Sequence, residues 1–365
     1  VLVSPPSRHQ SVAILAQAQL QQQGPLLVPP LATMLRAVGL LTAIPLAASK
    51  VCDEADAIPC FALAGGSKIP QVAMGTWGGS YKDCDHTDYT CIKQHARWSI
   101  DEWLHIGGTH IDGANDYRTQ TSIAEALLEG GKKREDVFIT TKCPGAIGYE
   151  ATIQCADDNL QMLGQFGTNG VQYIDLLLVH FPFIIKPECR FSRSAPACKE
   201  SPFTTATKAQ LQDTWRAMEE LKRIGVVKSI GVSDYNITQL EQTLEAAKDP
   251  IELHQVEWNP ETHDEEMLKF CKAKGIQLQA WSPLGGAGGS VLSDPKIAAI
   301  AKAHGASTAQ VVLRWSLQRD VAVVVGTANA DHAKGDLGLF GFLLSDDEVK
   351  AIDSLGAKGV EAVHV

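Results

Sequence analysis

The sequence predicts an α/β fold, a single eight-stranded parallel (β/α)8 TIM barrel behind an N-terminal extension. Three observations carry that prediction. From Ile69 onward, short apolar segments alternate with segments of helical period, eight of each. Runs such as Leu176-Leu177-Leu178-Val179 and Val321-Ala322-Val323-Val324-Val325 are apolar without alternation, as parallel strands covered on both faces must be. The span from Ile69 to Leu343, about 275 residues, fits the usual size of such a barrel.

The elements follow in order. PQVAMGTW is the first strand, and CIKQHARWSIDEWLHIGG is its helix, with Ile92, Ala96, Ile100 and Leu104 on one face. THIDGAN precedes the helix SIAEALLEGG, and VFITTK precedes YEATIQCADDNLQMLG. DLLLVHFP leads through a long loop, Phe181 to Thr207, to AQLQDTWRAMEELKRIG. VKSIGVSDY is followed by ITQLEQTLEAA, HQVEWNP by EEMLKFCKAKG, and IQLQAWSPLG by PKIAAIAKAHG. VAVVVGT closes the set, before a weaker helical region. Most helices end near Gly, which takes the left-handed cap at least cost. Asn236 stands before ITQLEQ as an N-cap; it also begins an Asn-Ile-Thr glycosylation sequon.

Other classes lack their signatures. No G-x-G-x-x-G follows a strand, and Gly285, Gly286, Gly288 and Gly289 have the wrong spacing and read as a loop. A nucleophile elbow and a P-loop are both missing. A net charge of -10 with no basic run argues against a nucleic-acid surface. No apolar stretch reaches the roughly 20 residues of a membrane span.

Residues 1–33 are rich in Gln and Pro and read as a disordered or leader segment. Residues 34–50 carry a short basic start, an apolar run and a small-residue close at Ala47-Ala48-Ser49, the parts of a signal peptide. Its alternative is an ordinary packed N-terminal segment. The first reading implies the secretory pathway or an organelle, and the second implies the cytoplasm. The barrel is assigned to residues 60–357 and a short tail to 358–365.

Three cysteine pairs lie close together in loop-like segments: Cys52 with Cys60, Cys84 with Cys91, and Cys189 with Cys198. Local disulfides are expected there. Cys143, Cys155 and Cys271 fall in strand or helix patterns and read as free apolar fillers. No metal site is expected, because no pair has a zinc-knuckle gap and no His stands at the complementary spacing.

Four ionisable residues, Asp112, Tyr117, Lys142 and His180, sit at or just after successive strand ends, where barrels place their chemistry. Together they can protonate a carbonyl oxygen. A tyrosine holds its proton at neutral pH, an adjacent ammonium eases its release, and a carboxylate holds that ammonium in place. His180 can donate a hydrogen bond to the substrate oxygen.

GGTHIDGANDY, TTK, LLLVHFP, IGVSDY, QVEWNP and AWSPLG, with KIPQVAMGTW at the front, resemble the aldo-keto reductases over about Ala64 to Leu355. The resemblance implies NADPH-dependent carbonyl reduction with Asp112, Tyr117, Lys142 and His180 as the catalytic tetrad. It implies that Ser233, Asp234 and Gln255 contact the nicotinamide carboxamide. Trp281 matches the aromatic residue that stacks on the nicotinamide, and Ser282 and Leu284 match positions along the cofactor phosphates. The partner is then a small carbonyl compound.

Departures from the family pattern are informative. Asp234 replaces the usual Asn and adds negative charge. Where a Lys-Ser pair, an Arg and an Asn usually hold the adenosine end, this chain has Gly326, Thr327, His332 and Asp336. The loss of cations there predicts weaker preference for NADPH over NADH, with Thr327 the best remaining hydroxyl. Phe181, Phe183, Trp77 and Trp258 are candidates for an apolar substrate wall. The short segment after Leu355 suggests an open site or a lid made by the long fourth loop. The alternative is a non-catalytic barrel serving as a nucleotide-binding or regulatory subunit.

Overall fold

The computed structural model describes residues 50–52, 58–78, 84–85, 88–164, 173–186, 202–286 and 290–356. Expectations for residues 1–49 and 358–365, and the pairing of Cys189 with Cys198, lie outside the described residues.

Eight parallel strands close on themselves: β3 (Val72–Gly75), β4 (His110–Asp112), β5 (Phe138–Cys143), β6 (Ile174–Val179), β9 (Val227–Ser233), β10 (Leu253–Glu257), β11 (Gln277–Trp281) and β12 (Val321–Val325). Each pairs with the next in chain order, and β12 returns to β3 through Val323 opposite Val72. Strands β4, β5 and β6 are buried at every residue, as parallel strands covered on both faces are.

The helices α1 (Tyr89–His105), α2 (Gln120–Glu129), α3 (Tyr149–Gly164), α4 (Lys208–Arg223), α5 (Ile237–Leu244), α6 (Glu265–Lys274) and α7 (Pro295–His304) follow the predicted segments. The C-caps of α6 and α7 are the predicted left-handed glycines, Gly275 at φ 71° and Gly305 at φ 62°. Asn236 caps α5, its side chain accepting from the Gln239 N–H while Gln239 reaches back to the Asn236 N–H.

Four differences from the sequence reading have physical causes. First, α8 (Thr308–Gln318) adds a second helix between β11 and β12. Its start is a capping box of Ser307 and Gln310, a signal present in the sequence. The C-terminal helical region resolves into α9 (Ala330–Leu337) and α10 (Asp346–Asp353). Second, the long loop after β6 contains an antiparallel hairpin of β7 (Phe183–Ile185) and β8 (Phe203–Thr205).

Third, Cys143 and Cys155 are joined in a disulfide rather than free. Cys143 on β5 faces the helix α3 that covers it, so two residues from different elements meet across the packing interface. Disulfides Cys52–Cys60 and Cys84–Cys91 form as their spacing suggested, and Cys271 is free and buried. Fourth, Trp258 belongs to the core rather than to the rim. It is fully buried, stacked on Trp315 with ring centroids 5.7 Å apart.

A further hairpin of β1 (Cys60–Ala62) and β2 (Lys68–Pro70) packs beside the strand starts. Leu63 and Ile69 join Phe138, Leu176, Leu178 and Leu253 in one apolar cluster that seals this end of the barrel. Chemistry is left to the opposite end. None of the described helices is long and apolar enough to cross a membrane.

Candidate active site

Strand β4 ends at Asp112, and a short 3-10 turn, Asn115–Tyr117, carries Tyr117 over the mouth. Strand β5 delivers Lys142 from its penultimate position, and His180 directly follows β6. The structure therefore brings the four predicted residues together. Lys142 is fully buried; its Nζ lies 2.5 Å from Asp112 Oδ1 and donates to the Gly113 carbonyl at 2.9 Å. Asp112 Oδ2 accepts from Gln255 Nε2 at 2.8 Å. Such a pair persists in the interior only because its remaining polar atoms are also bonded.

Tyr117 Oη lies 3.3 Å from His180 Nε2, and Lys142 Nζ stands 5.0 Å from the centre of the Tyr117 ring. One expectation needs correction. Lys142 directs its hydrogen bonds to Asp112 and Gly113, and the Tyr117 phenol is pushed well above its ordinary pKa. Burial of the phenol is the main cause, and the charges of Asp112, Asp116 and Asp234 add to it. In this state Tyr117 is a strongly held proton rather than a loosened one.

Asp116 was not singled out from the sequence. Its Oδ1 lies 3.0 Å from His180 Nδ1. Only its place one residue before Tyr117, on a turn opposite the end of β6, hints at that role.

Further round the mouth, Ser233 ends β9, Gln255 lies in β10 and Trp281 ends β11. Asp234 adopts the left-handed conformation, φ 59°, which Asp tolerates better than most residues. Its Oδ1 accepts from Trp281 Nε1 at 2.8 Å. Burial raises the Asp234 carboxyl to about 6 despite that hydrogen bond. Ser282, at φ 48°, and Leu284 form the turn after β11, closed by the Gly285 N–H on the Ser282 carbonyl.

These residues fit a nicotinamide. The Gln255 amide nitrogen is committed to Asp112 and Gln279, which leaves its carbonyl oxygen without a hydrogen bond among the described residues. An acceptor beside a Ser233 hydroxyl suits a carboxamide, and the half-exposed Trp281 indole offers a flat apolar face. At the end of β12, Thr327 accepts from the Asn329 N–H and lies 3.5 Å from His332 Nδ1. Asp336 is buried, and burial lifts its carboxyl to about 7.

Phe181 and Phe183 form an aromatic wall with Phe203, which sequence reasoning missed because β8 is remote in the chain. Phe181 lies 5.6 Å from Phe203 and 5.2 Å from the His180 ring, centre to centre. Gly145 permits the approach: at φ 87°, an added Cβ would come within 2.1 Å of the Phe183 carbonyl oxygen. Trp77 is 55% exposed and makes no ring contact with this cluster among the described residues.

One group of potential metal-ligating side chains does come together among the described residues. Donor atoms of Cys84, Cys91 and His95 lie within 4.8 Å of one another, because His95 is one helical turn beyond Cys91. The two sulfurs are joined in a disulfide, so neither is a thiolate able to bind an ion in this form.

Residues 71–357 match the model of the aldo/keto reductase family. The chain is 30% identical over 306 residues to a glycerol 2-dehydrogenase (NADP(+)) of Saccharomyces cerevisiae, covering 82% of this chain and 91% of that one. It is 32% identical over 301 residues to a D-galacturonate reductase of Fragaria ananassa, covering 79% and 86%. Among solved structures, the Bombyx mori aldo-keto reductase in complex with NADP superposes with a TM-score of 0.68 at 29% identity, covering 82% and 92%.

Proposed function

From the premise that this chain belongs to the aldo/keto reductase family, we propose that it reduces an aldehyde or ketone to an alcohol with NADPH. The observation that carries this reading is the convergence of Asp112, Tyr117, Lys142 and His180 at one end of the barrel. The cofactor, when bound, supplies the hydride. Tyr117 supplies the proton to the carbonyl oxygen, assisted by Lys142, Asp112 and His180. The buried Lys142 charge offsets the negative charge that builds at this position, and Asp112 fixes where that ammonium sits.

Ser233, Asp234 and Gln255 are assigned to the carboxamide end, Trp281 to the nicotinamide face, and Ser282 and Leu284 to the phosphates. Thr327 serves the far end of the cofactor. The only cation-forming side chain between Val321 and Ala333 is His332, and Asp331 adds a negative charge. Preference for NADPH over NADH is therefore weaker than is usual in the family, because little there pairs with a 2′-phosphate. Relatives are named for glycerol and galacturonate. The wall of Phe181, Phe183 and Phe203, with the exposed Trp77, favours a carbonyl compound with an apolar body.

Oxidation of NADPH and NADH against a panel of aldehydes, for wild type and Tyr117→Phe, tests this reading. Turnover that disappears in the variant is the expected result. Cofactor binding without turnover in either protein would favour a non-catalytic nucleotide-binding barrel. The three disulfides among the described residues support residence in an oxidising compartment, and thiol counting on protein from its native source tests that.

A further inference from the structure

We propose that Asp116 is a positioning residue which, acting through His180, turns Asp116, His180 and Tyr117 into a chain that resupplies the proton consumed at each reduction. The inference rests on the carbonyl-reductase reading above and explains how His180 assists. Asp116 Oδ1 lies 3.0 Å from His180 Nδ1, and His180 Nε2 lies 3.3 Å from Tyr117 Oη. A carboxylate can only accept, so Nδ1 must carry a hydrogen in either charge state of the ring. Nε2 is then the atom that changes. In the neutral ring it accepts the Tyr117 O–H, and in the imidazolium it donates to Tyr117 Oη.

Asp116 is placed to act on the second state, because a carboxylate beside Nδ1 attracts the charge of an imidazolium. Burial opposes ionisation of the Asp116 carboxyl, but His180, a backbone N–H and the more distant Lys142 together outweigh it and hold the group below the ordinary Asp range. Asp116 therefore stays charged and stabilises an imidazolium. Its side chain is 38% exposed and that of His180 13%, so the pair touches both solvent and site. Among the described residues, the groups that face the His180 ring are Asp116 and Tyr117 on the same turn and Asp234 across the mouth.

The protons balance. The Tyr117 Oη–H bond breaks as its proton passes to the oxygen of the reduced carbonyl. The His180 Nε2–H bond then breaks and its proton passes to Tyr117 Oη. Neutral His180 regains a proton at Nε2 from solvent, by loss of a proton from hydronium or from water with release of hydroxide, one per carbonyl reduced. A strongly held Tyr117 proton suits this order, because the phenolate left behind takes up a proton readily.

The test compares wild type, Asp116→Asn and Asp116→Glu by steady-state oxidation of NADPH with an aromatic aldehyde from about pH 5.5 to 9, alongside NADPH binding by fluorescence and thermal melting. An amide in place of the carboxylate stabilises the imidazolium less. The expected result for Asp116→Asn is a kcat lower by roughly tenfold or more at neutral pH. The alkaline fall-off of kcat should move to lower pH by about one unit. NADPH affinity should be unchanged, and Asp116→Glu should recover most of the rate. A pH profile of Asp116→Asn that superimposes on wild type would overturn the proposal, as would a loss seen only in melting temperature or cofactor affinity. Wild type that binds NADPH but reduces no carbonyl would overturn the reductase reading itself, and this inference with it.

Discussion

The indole N–H of Trp281 donates to the carboxylate of Asp234 at 2.8 Å, which ties the aromatic platform of β11 to the turn after β9. A ring stacked on that indole lies within a few ångströms of a negative charge, in surroundings of reduced dielectric. Oxidised nicotinamide is cationic and reduced nicotinamide is neutral, so the carboxylate favours the oxidised form. Asp234→Asn should shift the ratio of NADPH to NADP+ dissociation constants about tenfold in favour of NADPH. Fluorescence titrations at pH 8, above the raised Asp234 pKa of about 6, provide the check. An unchanged ratio with both forms bound would sink the idea.

Lys142 and Tyr117 should separate stability from chemistry. Replacing Lys142 by Met removes one partner of a buried ion pair and leaves Asp112 held by the Gln255 amide alone. That should cost about 3–5 kcal/mol of stability together with the activity. Tyr117→Phe loses a hydroxyl at a half-buried rim and should abolish turnover while costing only about 1 kcal/mol. Urea midpoints measured beside turnover distinguish the two. Equal destabilisation in both variants would contradict this account.

The parts of the fold legible in sequence are those set by one period or one cap. Short, largely apolar segments located the strands, and Gly275, Gly305 and Asn236 ended or began helices where their chemistry required. Asp112, Lys142 and His180 were legible because each lies at a strand end. Contacts made across elements were not. The hydrogen bond of Asp116 with His180, the bond of Cys143 with Cys155 and the placing of Phe203 against Phe181 all join residues whose proximity is created by packing. The upward shift of the Tyr117 phenol escaped for the same reason, since it comes first from burial and then from three carboxylates on two strand ends and a turn.

The Cys143–Cys155 disulfide adjoins Lys142 in sequence and meets a hydrogen-bonded hub. Asn159 Oδ1 accepts from Gln120 Nε2 at 2.8 Å and from Thr141 Oγ1 at 2.9 Å, while Nδ2 donates to the Cys155 carbonyl at 3.0 Å. Removing the cross-link as Cys143→Ala/Cys155→Ala should lower stability by roughly 2–4 kcal/mol. The hub fixes β5 independently, so tetrad geometry and kcat should change less than twofold, about 0.4 kcal/mol or under. Denaturant unfolding beside steady-state kinetics tests both statements. A large kcat loss without destabilisation would show that the cross-link itself positions Lys142.

Acid sensitivity should come from two buried histidines outside the site. His254 accepts from the Tyr235 N–H through Nε2 at 3.1 Å, and burial depresses it to about 3. His110, buried between Pro70 and Thr140, is depressed to about 4, again mainly by burial. In the unfolded chain both titrate near 6.5. Between these values the unfolded state binds protons that the folded state refuses, so stability rises with pH across that window and is lost as pH falls below about 6.5. Each group then contributes a loss of about 2 kcal/mol between pH 6.5 and 5, at roughly 1.4 kcal/mol per pH unit. A Gln at position 254 can still accept from the Tyr235 N–H but does not titrate. His254→Gln should therefore show a shallower decline in urea midpoint between pH 6.5 and 5 than wild type. Parallel declines in the two proteins would mean that His254 is protonated in the folded state, contrary to the depressed value.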